Sequence, residues 1–175
     1  IGSTQILQLS GIGDPGILKP AGIEAIHALR GVGRHLQDHL QSRLTLGLNR
    51  PISLNNLTRG PLRKLLIGLD YVFRHKGVLS FGASLAGGFA RTSLSSDRPD
   101  VQLHFQPLSL DSYDGGLHPF PGATISACQL RPESEGTIFV TSPDPAARPR
   151  IRANYLSTER DRLTMIEGFR WRRRI

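Results

Sequence analysis

The sequence predicts an α+β fold, a mainly antiparallel sheet flanked by helices. Three observations predict it. Residues 101–106 (Val-Gln-Leu-His-Phe-Gln) alternate apolar and polar, the pattern of a sheet with one dry face. Residues 61–76 carry apolar side chains at helical spacing. Strands and helices do not alternate along the chain, as a parallel doubly wound sheet would require.

Ser3 to Leu9 reads as a short helix with Ser3 as its N-cap, ended by Gly11 in a left-handed conformation. Ile12-Gly13-Asp14-Pro15-Gly16 reads as a turn, Ile17 to Ala21 as a further helical turn, and Ile23 to Leu29 as a short strand. Gly31-Val32-Gly33 opens a loop that runs through Arg34-His35-Leu36-Gln37-Asp38-His39. Leu44 to Leu48 alternates as a strand does, and Pro51 to Arg59 has the chemistry of a connection. In the helix from Pro61 to Lys76, Leu62, Leu65, Leu66, Leu69, Val72 and Phe73 share a face. Pro61 suits its first position and Gly77 its C-terminal cap. Thr124–Leu130 and Thr137–Thr141 predict a hairpin around Pro132–Gly136. A last helix starts near Thr158, which has capping-box spacing to Asp161.

At 175 residues the chain can hold a core, and it has no apolar run near the length that spans a bilayer. One cysteine, Cys128, excludes an internal disulfide framework and a cysteine-rich zinc site. It favours a reducing compartment, so a cytoplasmic location is expected, with peripheral membrane association left open. The formal charge of +8 brings acidic partners into consideration, including nucleic acid. The charge is uneven, however: Arg148, Arg150 and Arg152 precede a C-terminal group that includes Arg170, Arg172, Arg173 and Arg174. Tyr71, Tyr113 and Tyr155 are scattered and form no stacking ladder, so no nucleic-acid partner is expected. The first residue is Ile1 and the single methionine is Met165, which suggests a piece of a longer protein.

Two Gly-x-Gly pairs occur, at 11–13 and 31–33. Neither extends to a dinucleotide fingerprint followed by a βαβ unit, so turns and caps explain each taken alone. His35-Leu36-Gln37-Asp38-His39 has the spacing of a metal motif, but a third ligand is lacking, and no metal is predicted. No Gly-x-Ser-x-Gly is present, so hydrolase chemistry has no support.

Taken together, two stretches carry a resemblance. Ser3-Thr4-Gln5-Ile6-Leu7-Gln8-Leu9-Ser10-Gly11-Ile12-Gly13 is similar to the second signature of the glucose–methanol–choline (GMC) oxidoreductases, with Thr4 where Pro or Ser is usual. Gly31-Val32-Gly33-Arg34-His35-Leu36-Gln37-Asp38-His39-Leu40 resembles that family's loop, with His35 in place of Asn. Ala86-Gly87-Gly88-Phe89, Pro99-Asp100-Val101-Gln102, Leu130 to Gly136 and Asn154-Tyr155-Leu156-Ser157 match in order.

The resemblance implies FAD as cofactor and an internal fragment of a choline dehydrogenase-like flavoprotein. In it, residues 1–40 end a segment of the FAD-binding domain, 41–157 form the substrate-binding domain, and 158–175 begin a helix returning to the FAD domain. It implies oxidation of a primary alcohol to an aldehyde, a base taking the hydroxyl proton while hydride passes to flavin. The dinucleotide loop and the catalytic histidine of such an enzyme lie outside these residues, so no catalytic residue is assigned here and the fragment alone is expected to be inactive. Arg34, His35, Gln37, Asp38 and His39 are implied to border the cofactor, and Gln41 the substrate. Choline-oxidising members carry Glu two residues after the histidine. Neutral Gln41 complements a quaternary ammonium far less, which favours a non-ionic alcohol; equally, Gln41 can simply start a strand. The electron acceptor stays open. The rival reading is a non-enzymatic basic module for acidic partners.

Overall fold

The computed structural model describes residues 1–95, 97–112 and 114–175. Tyr113 lies outside the described residues. The chain forms two compact units, one of Ile1–Leu40 with Arg131–Leu163, the other of Gln41–Leu130 with Thr164–Ile175. Residues 131–157, contiguous with 41–130 in the sequence-based division, group instead with residues 1–40.

The first unit begins with α1 (Gly2–Leu9). Its N-cap is Ile1, without a side-chain cap, so Ser3 sits inside the first turn and does not cap it. Gly11, at φ +78°, ends it as expected. A Cβ at Gly11 would lie 2.6 Å from the Glu24 carbonyl, so glycine is required for space as well as conformation. The stretch expected to be one turn holds a two-residue strand, β1 (Ile12–Gly13), and the start of α2 (Pro15–Leu18). Asp14 caps α2, its carboxylate accepting from Gly16 N–H at 2.9 Å, with Pro15 at the first helical position. The expected strand over 23–29 shrinks to β2 (His27–Ala28), parallel to β1. Ile23 is drawn away: its N–H donates to Leu18 C=O and its side chain joins Leu18, Ala21 and Val140 in a small core.

In the second unit the strands are β3 (Gln41–Gly47), β4 (Ala86–Ala90), β5 (Val101–Gln106) and β6 (Gly122–Gln129). They form one antiparallel sheet in the order β3-β6-β5-β4. This is the antiparallel α+β arrangement the alternation predicted. β6 is buried along its whole length and is paired on both edges. Its position overturns the expected hairpin. Thr137–Phe139 is β7, which pairs in the first unit with β8 (Arg150–Arg152), not with β6. The chain passes into the first unit after Leu130, and the Pro132–Gly136 stretch lies within that unit instead of reversing the chain against β6.

Between β3 and β4 lie α3 (Leu54–Leu57), α4 (Pro61–Arg74) and a 3-10 turn (Val78–Ser80). α4 ends at His75, itself left-handed at φ +51°, two residues before the glycine expected to cap it. Its six-residue apolar face is solvent-exposed throughout, from Leu62 at 67% to Phe73 at 78%.

The last helix, α5 (Glu159–Arg172), starts in the first unit and ends in the second. Thr158 Oγ1 accepts from Asp161 N–H at 3.2 Å, half of the expected capping box. The Asp161 carboxylate serves elsewhere, accepting from the amides of Glu133 (3.0 Å) and Ser134 (2.7 Å). Within the second unit, α5 packs on the sheet at Gly168, where a Cβ would sit in ordinary contact with Val101 Cγ1 (3.4 Å) and Ala127 Cβ (3.5 Å). Trp171 packs on the core of Ala90, Val101, Leu103 and Ala127. No helix among the described residues is long and apolar enough to cross a membrane.

Candidate functional site

The loop from Gly31 to His39 lies on the first unit, and its shape begins with Gly33. This residue has φ +84°, and a Cβ on it would come within 2.2 Å of the Ile138 carbonyl and 2.3 Å of Gln8 Nε2. The backbone can pass this closely only because no side chain is there. Gln8, 1% exposed on α1, holds the crossing. Its Nε2 donates to Ile138 C=O (3.0 Å) and Val32 C=O (3.3 Å), and its Oε1 accepts from Val140 N–H (2.8 Å). Ile138 N–H donates to Gly33 C=O at 2.7 Å. Three residues on, Leu36 and Gly136 exchange both backbone hydrogen bonds, at 3.1 and 2.8 Å.

The side chains of the loop complete this attachment. Arg34 pairs with Asp14 at 2.9 Å, donates from Nε to Arg30 C=O at 3.1 Å, and lies over the Phe139 ring. The Arg34 guanidinium holds the Asp14 carboxyl below the ordinary carboxylate range, helped by Gly16 N–H. His35, left-handed at φ +59°, directs Nδ1 to the Glu135 carboxylate. Gln37 Nε2 donates to Pro132 C=O at 2.8 Å. Asp38 accepts from His39 N–H through Oδ1 at 2.9 Å and from the Tyr155 hydroxyl through Oδ2. The Asp38 hydrogen bond pushes the Tyr155 phenol above its ordinary pKa.

Arg34, His35, Gln37 and Asp38 are thus brought together as four successive ties, each with a partner remote in sequence. All four residues, and His39, stay exposed at the surface. The arrangement ties the loop to its own unit at residue after residue and leaves its outer rim exposed to solvent. Gln41 opens β3 in the other unit, where its Nε2 donates to the buried Ser126 hydroxyl at 3.0 Å across the β3–β6 pair. Among the described residues no group of three or more His, Cys, Asp or Glu side chains is placed to hold a metal.

The sequence reading missed Gln8, Asp14, Glu135 and Tyr155. Each lies in a stretch that drew attention, but nothing in the chain order pairs Gln8 with Ile138 or Asp38 with Tyr155. Tyr155 sits between Asn154 (φ +57°) and Leu156 (φ +56°), both left-handed. A leucine in that region costs about 1–2 kcal/mol, so the surroundings must impose it.

The second unit holds another polar cluster. His118 Nε2 lies 3.1 Å from Asp111 Oδ1, and its Nδ1 lies 3.1 Å from Ser109 Oγ. The chain of groups resembles a nucleophile relay, yet Ser109 is fully buried and its hydroxyl accepts from Asn55 Nδ2 at 3.1 Å. A hydroxyl that no substrate can reach is a structural tie. Asn55 extends the tie, also donating to Ser109 C=O and His118 C=O and accepting from Ser109 N–H.

Residues 132–175 match the family model described as GMC oxidoreductase. The chain is 37% identical, over 97% of its length, to a Pseudomonas putida protein named alcohol dehydrogenase [acceptor]. It is 36% identical, over its full length, to an oxygen-dependent choline dehydrogenase of Photobacterium profundum. In both cases it spans 31% of the relative's length. In fold it is similar to formate oxidase (TM-score 0.83, 23% identity, covering 97% of this chain and 34% of that one). It is also similar to pyridoxine 4-oxidase from Mesorbium loti (TM-score 0.75, 20% identity, covering 99% of this chain and 30% of that one).

Proposed function

The chain belongs to the GMC oxidoreductase family, and we propose that it supplies a cofactor-bordering loop and part of a substrate-side sheet to an FAD-dependent enzyme that oxidises a primary alcohol to an aldehyde. The observation that carries this reading is the loop from Arg34 to His39. It is exposed, yet tied down at every residue from Arg34 to Asp38. A polar rim tied down in this way suits the edge of a planar ring system that must be held in one orientation. The names of the relatives, an alcohol dehydrogenase and choline dehydrogenases, support the reaction class. Among the solved structures of similar fold is an FAD-dependent oxidoreductase from Chaetomium thermophilum.

The residues present fit part of such a cofactor. The first unit offers the held loop; its Gly-x-Gly-x-x-Gly, Gly11 to Gly16, follows the helix α1 and leads only into the four-residue α2, so the pyrophosphate would be bound by other polypeptide. FAD, when bound, supplies the acceptor for hydride. The chain's own residues orient: Arg34, His35, Gln37 and Asp38 hold the backbone of the loop, and His39 ends it. No proton transfer is assigned to any residue of this chain, which alone would bind FAD weakly and turn nothing over. In this reading the loop from Arg34 to His39 borders the flavin and Gln41 borders the substrate. At Gln41 a neutral amide stands at the mouth of β3, so the preferred substrate is an uncharged primary alcohol.

Purification of the full-length protein tests the proposal. Visible flavin absorbance and dye- or oxygen-coupled oxidation of uncharged primary alcohols are expected, with choline a poorer substrate. A full-length protein free of flavin and of alcohol oxidation would sink the assignment. Preference for choline would sink the role given to Gln41. The exposed Arg148, Arg150 and Arg152 favour a second reading, a basic surface for acidic partners. Salt-sensitive binding to DNA by a flavin-free protein would select it.

A further inference from the structure

We propose that Tyr155 is a positioning residue, a latch that acts through Asp38 to fix the backbone at His39 where the loop ends. The inference rests on the proposal that residues 34–39 border the flavin. Three observations lead to it. The first is the way Asp38 is used. One carboxylate oxygen takes the Tyr155 hydroxyl and the other takes His39 N–H. The carboxylate cannot rotate to follow one partner without losing the other, so the place of the His39 amide follows the place of the phenol.

The second observation is the local backbone of residues 154–156. Two left-handed residues flank Tyr155, and both sides of the segment are pinned. Asn154 Nδ2 donates to Glu135 C=O at 3.0 Å, and Ser157 N–H donates to Ser134 Oγ at 2.9 Å. Arg162 holds the Leu156 carbonyl at 2.9 Å. An unfavourable conformation imposed from both sides fixes where the Tyr155 side chain emerges, and that is onto Asp38. The third is the independence of this bond from the rest of the loop. The ties of Arg34 to Asp14, His35 to Glu135, Leu36 to Gly136 and Gln37 to Pro132 all precede it. Removing the Tyr155 hydroxyl leaves those four ties in place and takes away only the contact with Asp38. Because Tyr155 is 43% exposed, the loss of its hydroxyl opens no buried cavity.

The test uses the full-length protein with Tyr155→Phe, Asp38→Asn and the double variant. Amide hydrogen exchange in the peptide covering residues 36–41 is measured alongside melting temperature, FAD dissociation constant and the visible flavin spectrum. Tyr155→Phe is expected to speed exchange in that peptide, leave the melting temperature near the wild-type value, shift the flavin bands and weaken FAD binding about tenfold, the scale of one hydrogen bond. The double variant is expected to match the more affected single variant, because both changes remove the same contact. Unchanged exchange in Tyr155→Phe, or effects that add in the double variant, would overturn the latch. Faster exchange with unchanged FAD affinity and spectrum would overturn its positioning role. A wild-type protein that binds no FAD would count against the proposed function, and the exchange data would then decide the latch alone.

Discussion

Replacing Gly33 by alanine tests the attachment of the loop at its tightest point. Two costs add. The φ of +84° is unfavourable for any residue with a Cβ, by about 1–2 kcal/mol. The new methyl would also sit 2.2 Å from the Ile138 carbonyl and 2.3 Å from Gln8 Nε2, both closer than atoms can approach. Relief requires the 138 strand to move away. That breaks the 2.7 Å bond from Ile138 N–H to Gly33 C=O and strands the buried Gln8 amide, at about 1 kcal/mol for the bond and about 1–3 kcal/mol for the unsatisfied group. The sum is about 4 kcal/mol. Urea unfolding of the full-length protein, followed by circular dichroism, reads the change, with Gly31→Ala as the matched control. Gly31 lies in the same loop with nothing within 4 Å of its ideal Cβ, so its replacement should cost about 0.5 kcal/mol or less. If the two variants unfold at the same midpoint, the reasoning fails.

Other outcomes follow from the same kind of argument. Asn55→Ala removes the group that joins Ser109 and His118, and unfolding should show a loss of about 3 kcal/mol, with residues 107–118 becoming the first to be cut by protease. Arg172 is 2% exposed, its Nη1 donates to Ser42 C=O at 2.9 Å, and its Nε has no partner among the described residues; burial pushes its pKa down. Arg172→Met should therefore be neutral or stabilising by about 1 kcal/mol in urea, whereas a large loss would show that the charge is needed. The Tyr155 phenol is raised by Asp38, so its contribution is complete below the ordinary tyrosine pKa and lost as pH rises through the folded value. The difference in absorbance at alkaline pH between wild type and Tyr155→Phe should show tyrosinate forming late, and Asp38→Asn should bring it forward. Asp14 has the opposite sign. Its carboxyl is depressed by Arg34, so its contribution is present above the ordinary carboxylate pKa and lost as pH falls through the folded value. Arg34→Gln should move the Asp14 titration up when followed by NMR.

Much of the sheet was legible because its signals are local. Val101 and Leu103 are buried on β5 in the alternation the sequence displays. The α4 periodicity placed the helix within two residues at its end, but periodicity does not say what lies opposite, and the whole stripe faces solvent. The hairpin reading failed for a physical reason. Pro, Ser and Gly between two apolar runs mark a departure from a strand, and they do not say which strand comes next. Here the Asp161 carboxylate captures the amides of residues 133 and 134, and β7 meets β8. In the loop, the motif pointed to residues 34–39, whereas the ties that shape them are long-range. Gln8 to Ile138 and Asp38 to Tyr155 each span more than a hundred residues, and no local pattern encodes such a meeting.

The order β3-β6-β5-β4 has a further consequence for assembly during synthesis. The last of these strands to leave the ribosome is the one that belongs in the middle. β4 and β5 can pair as soon as they emerge, but β3 must wait through residues 48–121 before β6 arrives to fill the gap. Until then the edges of β3 and β5 that β6 will cover stay open on the nascent chain, a window for wrong pairing that a chaperone or slow translation would help to close.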